Sequence, residues 1–164
     1  GGGFPVGAVG GRAEVMAVFD PTHGKPALPH GGTFTANPVT MRAGVAAMRA
    51  LTENSFARLD RLGALLRDGI AASLRRHGLD GQCVGLGSLF KVHFTSRPVT
   101  DYRSVYPGPA ERKKLDAFHK GLLDRGVLSA SYGLFALSTP MTEDDARNIL
   151  SAIDDTFGEI ADRS

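Results

Sequence analysis

The sequence of 164 residues predicts an α/β chain in two parts, a glycine-rich first part followed by a small α+β domain. The first observation is a long segment, residues 53–77, whose apolar residues recur every three to four positions, as in one amphipathic helix. Beyond it, short stretches rich in Val and Phe alternate with amphipathic ones, which is typical of helices packed on a small sheet. The third observation is that residues 1–11 are rich in glycine, which is typical of chain segments bounded by turns. We therefore place the boundary between residues 52 and 53.

The first part is predicted to hold one strand and two helices. Residues 1–11, GGGFPVGAVGG, place an apolar stretch between glycines, which predicts a buried strand between two turns. Residues 12–19 predict a short helix, and residues 20–32, with three prolines and three glycines, predict a loop. Pro38 suits the first position of the second helix, and Asn37 is a suitable N-cap for it.

The second part is predicted to alternate helices with short strands. Its long first helix should end at Gly78, because glycine readily adopts the conformation that terminates a helix. Residues 82–95 predict either one bent strand or a pair of strands kinked at Gly85 and Gly87. The remaining predicted elements are a surface loop over 96–109, a helix over 110–125, strands over 127–130 and 135–138, and a last helix from the N-cap Thr142, with Asp145 as its capping-box partner, to about Asp162.

Charge and composition argue against several classes of function. The 19 basic and 17 acidic residues leave a net charge of +2, without the dense positive surface that nucleic acids require. No apolar run approaches the roughly 18 residues that span a bilayer, and no basic segment precedes an apolar one as in a secretion signal. The single cysteine, Cys83, permits no intrachain disulfide, and its apolar neighbours predict a small buried side chain. We expect a cytoplasmic protein.

Several residues suggest chemistry that their surroundings do not support. His23 and His30 lie in the predicted loop, but no carboxylate or cysteine stands beside them at ligand spacing, so no metal site is expected. Lys91 and Arg97 have the charge to pair with a substrate carboxylate, yet a strand lysine and a loop arginine are usually solvated. We therefore assign no role to these four residues.

The segment HGGTFTANP, residues 30–38, has the chemistry of a phosphate clamp. Gly31 and Gly32 let the backbone approach an anion closely, and a free N–H together with the Thr33 hydroxyl can donate hydrogen bonds to phosphate oxygens. The candidate site residues are Gly32 and Thr33. The other interpretation is that the Thr33 hydroxyl only stabilises a turn or caps the backbone.

Four segments together resemble class III pyridoxal-phosphate-dependent aminotransferases of the glutamate-1-semialdehyde aminomutase type. Residues 1–11 resemble the glycine-rich segment that follows the Schiff-base lysine, and residues 32–38, GTFTANP, are similar to the motif G-T-F-S-G-N-P. Residues 85–90, GLGSLF, and residues 126–131, GVLSAS, resemble two motifs of the small domain of the same families.

The resemblance implies a fragment of a fold-type I transferase that binds pyridoxal 5'-phosphate. Residues 1–52 would end the large cofactor-binding domain, and residues 53–164 would form the small domain. Gly32 and Thr33 would contact the cofactor phosphate of the partner subunit, so that the active unit is a homodimer. The catalytic lysine is expected upstream of Gly1, since none of the five lysines occupies its place, and the fragment alone is expected to be inactive.

The resemblance leaves the reaction open between an aminomutase and a transaminase, and it does not identify the amino donor or acceptor. Two other hypotheses come from different classes of protein. The chain could be a free-standing phosphate- or nucleotide-binding module that uses residues 1–11 as its loop, although no G-K-[ST] follows them. It could also be a non-catalytic dimerisation or regulatory remnant.

Overall fold

The computed structural model describes residues 1–163, so that Ser164, the end of the predicted small domain, lies outside the described residues. The chain divides into two compact units, Gly1–Thr52 and the residues from Glu53 onward. Its elements in order are α1 (Ala13–Met16), a 3-10 turn (Ala17–Phe19), α2 (Pro38–Ala50), α3 (Glu53–Arg76), β1 (Gln82–Leu86), β2 (Leu89–His93), α4 (Pro109–Asp124), β3 (Leu134–Ala136) and α5 (Glu143–Ala161). The mixed α/β class is as predicted.

The first unit consists of short helices joined by extended segments. The helix predicted over residues 12–19 is confirmed as α1 with its 3-10 extension, and the loop over residues 20–32 contains neither helix nor strand. The strand predicted over residues 1–11 is wrong. The N–H of Phe4 donates to the carbonyl of Gly1 at 3.0 Å, closing a turn, and the following side chains are exposed. A strand requires a neighbouring strand to pair with, and the sheet of the described residues consists of β1, β2 and β3 alone.

Gly2 explains why the glycine-rich opening forms a turn. Its φ of +58° lies in the left-handed region that side chains disfavour. A Cβ atom at this position would lie 2.3 Å from the carbonyl oxygen of Ala43 in α2. The glycine therefore allows the start of the chain to pack backbone to backbone on α2.

The second unit packs three helices on a three-stranded antiparallel sheet of order β1-β2-β3. Residues 82–95 form the pair of strands that was one of the two predicted alternatives, and Gly87, at φ +56°, lies in their turn. Phe90, Val92 and Phe135 are buried on the helix side of the sheet, whereas Leu89 and Ala136 on the other side are exposed. The alternation is that of a sheet with one covered face.

The core of this unit is built from leucines of α3 and a cluster of phenylalanines. Leu66, Ile70 and Leu74 of α3 are at most 2% exposed, as the predicted apolar stripe requires. Phe90 and Phe135 stack with ring centroids 5.1 Å apart, and Phe118 of α4 stacks with Phe157 of α5 at 5.2 Å. Phe56, which the stripe also included, is 52% exposed.

The strand predicted over residues 127–130 is wrong, while the one predicted over 135–138 is confirmed in shortened form as β3. The chain reverses immediately after this segment, because the N–H of Gly133 donates to the carbonyl of Ala130 at 2.9 Å. The N–H of Ala130 then donates to the carbonyl of Leu134 at 3.0 Å. Residues 127–129 continue away from this turn without a ladder of hydrogen bonds to β3, whose paired neighbour among the described residues is β2.

Candidate functional site

The candidate site is the loop of residues 28–37, which leads directly into α2. Its downstream end is fixed by the predicted helix cap: Oδ1 of Asn37 accepts hydrogen bonds from the N–H groups of Val39 at 3.0 Å and Thr40 at 3.2 Å. Pro38 occupies the first position of the helix, where its missing N–H leaves no bond unmade. The cap therefore gives the loop a defined end point.

Two overlapping turns shape the loop just before this cap. The N–H of Thr35 donates to the carbonyl of Gly32 at 3.0 Å, and the N–H of Asn37 donates to the carbonyl of Phe34 at 3.2 Å. Ala36, at φ +54°, has the one positive φ found among the described non-glycine residues. The donors of the two turns are thus Thr35 and Asn37, and neither turn uses the N–H groups of Gly32, Thr33 or Phe34.

The N–H groups of Gly32, Thr33 and Phe34 form the chemically significant part of the loop. Within residues 1–163 none of the three donates to a protein acceptor, and all three residues are exposed. The Thr33 hydroxyl likewise makes no hydrogen bond to the described part of the chain. Adjacent unpaired backbone donors are the usual means by which loops bind phosphate oxygens. Gly32 and Thr33 were predicted from the sequence as site residues, and the N–H of Phe34 is a further free donor beside them.

The upstream end of the loop is tied to the 3-10 turn. The N–H of Leu28 donates to the carbonyl of Val18 at 2.9 Å, and the ring of His30 packs edge-on against that of Phe19 with centroids 5.6 Å apart. These contacts give His30 a packing role. No group of three or more potential metal ligands occurs among residues 1–163.

The local charges are compatible with an anion. No carboxylate occurs between residues 28 and 38. Asp20, at the start of the preceding segment, accepts hydrogen bonds from the hydroxyl and the N–H of Thr22, which lower the pKa of its carboxyl. The Asp20 carboxylate therefore already accepts hydrogen bonds from its own segment of the chain.

The two other cations considered from the sequence lie in the second unit, and one of them is paired. Nη2 of Arg97 lies 2.9 Å from Oε1 of Glu111, so its charge is neutralised within the fold. Nζ of Lys91 lies 5.3 Å from the centroid of the Tyr132 ring.

Among the described residues, no helix has both the length and the apolar character that crossing a membrane would require.

The fold and the loop together define a chain with an unpaired set of backbone donors before a capped helix, followed by a small α+β unit. The family described as aminotransferase class-III matches residues 1–157, and the chain belongs to this family. The resemblance noted in the sequence is thereby confirmed.

Individual relatives include both kinds of enzyme that the sequence suggested. A glutamate-1-semialdehyde 2,1-aminomutase of Bacillus subtilis (strain 168) is 34% identical over 99% of this chain and 37% of its own length. The crystal structure of an omega-transaminase from Sphaerobacter thermophilus is 48% identical with a TM-score of 0.92, over 99% of this chain and 37% of that one. A transaminase with PLP bound is 37% identical with a TM-score of 0.80, over 93% of this chain and 34% of that one. The chain thus spans little more than a third of these proteins.

Proposed function

We propose that this chain belongs to an enzyme that transfers amino groups with pyridoxal 5'-phosphate, and that its loop at Gly32 and Thr33 binds the cofactor phosphate. The supporting observation is the set of free N–H groups at Gly32, Thr33 and Phe34, held by the Asn37 cap. The solved relative with PLP bound has a similar fold. When bound, the cofactor supplies the electron sink for amino-group transfer.

The residues of the loop fit a phosphate group in size and in chemistry. Gly31 and Gly32 have no side chains to obstruct an approaching oxygen, and backbone N–H groups with a hydroxyl are donors that phosphate prefers. Thr33 would donate its hydroxyl and its N–H, and Phe34 would donate its N–H. We further propose that residues 1–52 are the end of the cofactor-binding domain and that residues 53–164 are the small domain.

The partner that we propose is a second copy of the enzyme. Along α2, Val39, Val45 and Met48 are 57%, 49% and 69% exposed, more apolar surface than a helix usually leaves in water. A homodimer that covers α2 would bring the adjoining loop close to the partner subunit. Met48→Lys should therefore lower the mass of the full-length gene product measured by light scattering, whereas Leu86→Lys, at a still more exposed leucine of the second unit, should leave it unchanged.

The phosphate role is tested by Thr33→Val in the full-length gene product. Losing a hydrogen bond to a charged group should raise the Kd for pyridoxal 5'-phosphate by about 10- to 100-fold, measured by the fluorescence of the bound cofactor. The matched control is Thr100→Val, at an exposed threonine of the second unit. Equal affinities in wild type and Thr33→Val would refute the assignment.

The 164-residue chain by itself should not turn over an amino donor in the presence of pyridoxal 5'-phosphate. None of its five lysines lies ahead of the glycine-rich segment, where the resemblance expects the catalytic lysine. Sustained turnover by the purified chain would show that one of these lysines acts instead. A donor series with the full-length product, comparing glutamate-1-semialdehyde with aromatic and aliphatic amines, would separate the aminomutase from the transaminase.

A further inference from the structure

A cleft of about 650 Å³ lies between the loop that precedes α4 and the first turns of that helix. Tyr106, Pro107 and Pro109 give it an apolar wall, and Arg112 and Lys113 give it a basic one. Its volume is in the range of small-molecule pockets in proteins. All of its lining belongs to the unit that begins at Glu53.

The cleft carries positive charge that the fold does not balance. Within residues 1–163, neither Arg112 nor Lys113 forms an ion pair. Arg97 also lines the cleft but is paired with Glu111. Asp116 is the one acidic side chain of the described lining. The described lining therefore includes two cations without an ion-pair partner and one carboxylate.

An aromatic surface accompanies this charge. The guanidinium carbon of Arg112 lies 5.8 Å from the centroid of the Tyr106 ring, and Tyr106 is 61% exposed. A second ring could stack on Tyr106 while an anionic substituent reaches the cations at the rim. A small inorganic anion would make only the charged contacts, and a neutral ring only the apolar ones.

The walls of the cleft are held in place by hydrogen bonds. Oε2 of Glu111 accepts from the N–H of Gly108 at 2.7 Å, while Oε1 accepts from Arg97 at 2.9 Å. In the loop that precedes the cleft residues in the chain, the N–H of Ser104 donates to Oδ1 of Asp101 at 2.8 Å and closes a turn. A ligand would thus lose little affinity to ordering the loop.

We propose that this cleft binds a small aromatic anion, with the ring against Tyr106 and the anionic group between Arg112 and Lys113. The lining of the cleft and the Gly32–Thr33 loop belong to different units of the chain, and the proposal does not depend on the proposed amino-transfer activity. It gives the small unit a ligand of its own, a planar ring that carries a carboxylate or a phosphate.

The experiment titrates phenyl phosphate, inorganic phosphate and phenol into the 15N-labelled 164-residue chain. Phenyl phosphate should shift the backbone amides of Tyr106, Gly108 and Lys113 in a saturable manner with a Kd of about 1 mM, as suits a ligand of this size. Inorganic phosphate and phenol should each bind at least about tenfold more weakly, because each lacks one of the two contacts. Equal binding of inorganic phosphate, shifts elsewhere in the chain, or no saturation would overturn the proposal.

Single substitutions locate the site. Arg112→Gln should raise the Kd of phenyl phosphate about tenfold and Tyr106→Ala about fivefold, whereas Tyr106→Phe keeps the ring and should retain wild-type affinity. The matched control is Arg75→Gln, at an exposed arginine of α3. Unchanged amide spectra away from the cleft show that each variant is folded. An equal loss in the Arg75 variant would mean that only the overall charge matters, contrary to the proposal.

Discussion

The backbones of α3 and of the β1–β2 turn meet at Gly63 and Gly87. A Cβ atom at Gly63 would lie 1.9 Å from the carbonyl oxygen of Gly87. The same carbonyl accepts a hydrogen bond of 2.6 Å from Nη1 of Arg67. The missing side chain at position 63 therefore sets how closely the hairpin packs on the helix.

Gly63→Ala should lower the free energy of unfolding by about 1–3 kcal/mol, because the new methyl group meets backbone that cannot rotate away. The higher helix propensity of alanine, about 1 kcal/mol, offsets only part of this cost. The control is Gly69→Ala, whose Cβ would meet the side chain of Leu150 at 2.6 Å. Since that side chain can change rotamer, this variant should stay within about 1 kcal/mol of wild type in guanidinium unfolding. Equal losses would contradict the packing argument.

Ala36→Gly should stabilise the candidate phosphate loop. Ala36 has a φ of +54°, and the family motif G-T-F-S-G-N-P has glycine at this position. The left-handed conformation costs alanine roughly 1–2 kcal/mol, and replacement by glycine removes this cost. Glycine loses more conformational entropy on folding, which cancels about half of the benefit, so the variant should be more stable by about 0.5–1 kcal/mol. Hydrogen exchange of the α2 amides measures it. The same substitution at Ala46, inside the helix, should instead reduce protection, and a loss at both positions would contradict the assignment of strain.

Asp154 joins α3 to α5 and should make the stability of the second unit depend on pH. Its Oδ1 accepts hydrogen bonds from Ser73 and Arg76 at 2.5 Å each and lies 3.1 Å from Nε2 of His77. The hydrogen bond from Ser73, then those from its basic neighbours, hold the pKa of Asp154 below its ordinary 3.8. A carboxyl with a lowered pKa stabilises the fold above its unfolded-state pKa, and this contribution is lost as the pH falls through the folded-state value.

The Asp154→Asn variant should consequently be about 1 kcal/mol less stable than wild type at pH 7, with the difference shrinking as the pH falls well below 3.8. Urea unfolding at several pH values measures it. Asp80→Asn, at an exposed carboxylate, is the control and should show a difference near zero throughout. A difference in the free energy of unfolding between wild type and Asp154→Asn that grew towards low pH would contradict the prediction.

Cys83 should be unreactive in the folded chain. Partial burial raises the pKa of its thiol to about 12, opposed by the charge of Arg67. Thiolate is the reactive form, so alkylation by iodoacetamide at pH 8 should be at least about 100-fold slower than in the guanidinium-unfolded chain. Rapid labelling under native conditions would contradict the prediction that the thiol is unreactive.

Most of the helices could be predicted from the sequence, since their signals are local. Asn37 and Pro38 lie next to the helix that they start, and Thr142 with Asp145 forms the capping box at the start of α5. The loop proposed to bind phosphate could be placed before α2 for the same reason, because its glycines and Thr33 immediately precede a recognisable cap. The free N–H of Phe34 could not be predicted, because it depends on which N–H groups the two turns leave unused, and no residue type signals that choice.

The strands were the least predictable elements. Residues 1–11 and 127–130 have apolar side chains between turns, as strands do, but neither segment has a paired neighbour among the described residues. The charged cleft at Tyr106 and Arg112 could not be foreseen from the sequence, because a run of basic residues on a helix is usually solvent-facing. Its pairing with an aromatic ring six positions earlier depends on how the loop folds back on α4.

The sequence by itself determined the mixed α/β class, the helices with their caps, and the loop that holds Gly32 and Thr33. Helices and caps follow from neighbouring residues, since each helical hydrogen bond joins groups four positions apart. Tertiary structure alone decided which apolar segments became strands, how closely Gly63 approaches Gly87, and which cations remain unpaired. These features depend on groups distant in the chain, whose meeting is set by how the whole unit packs.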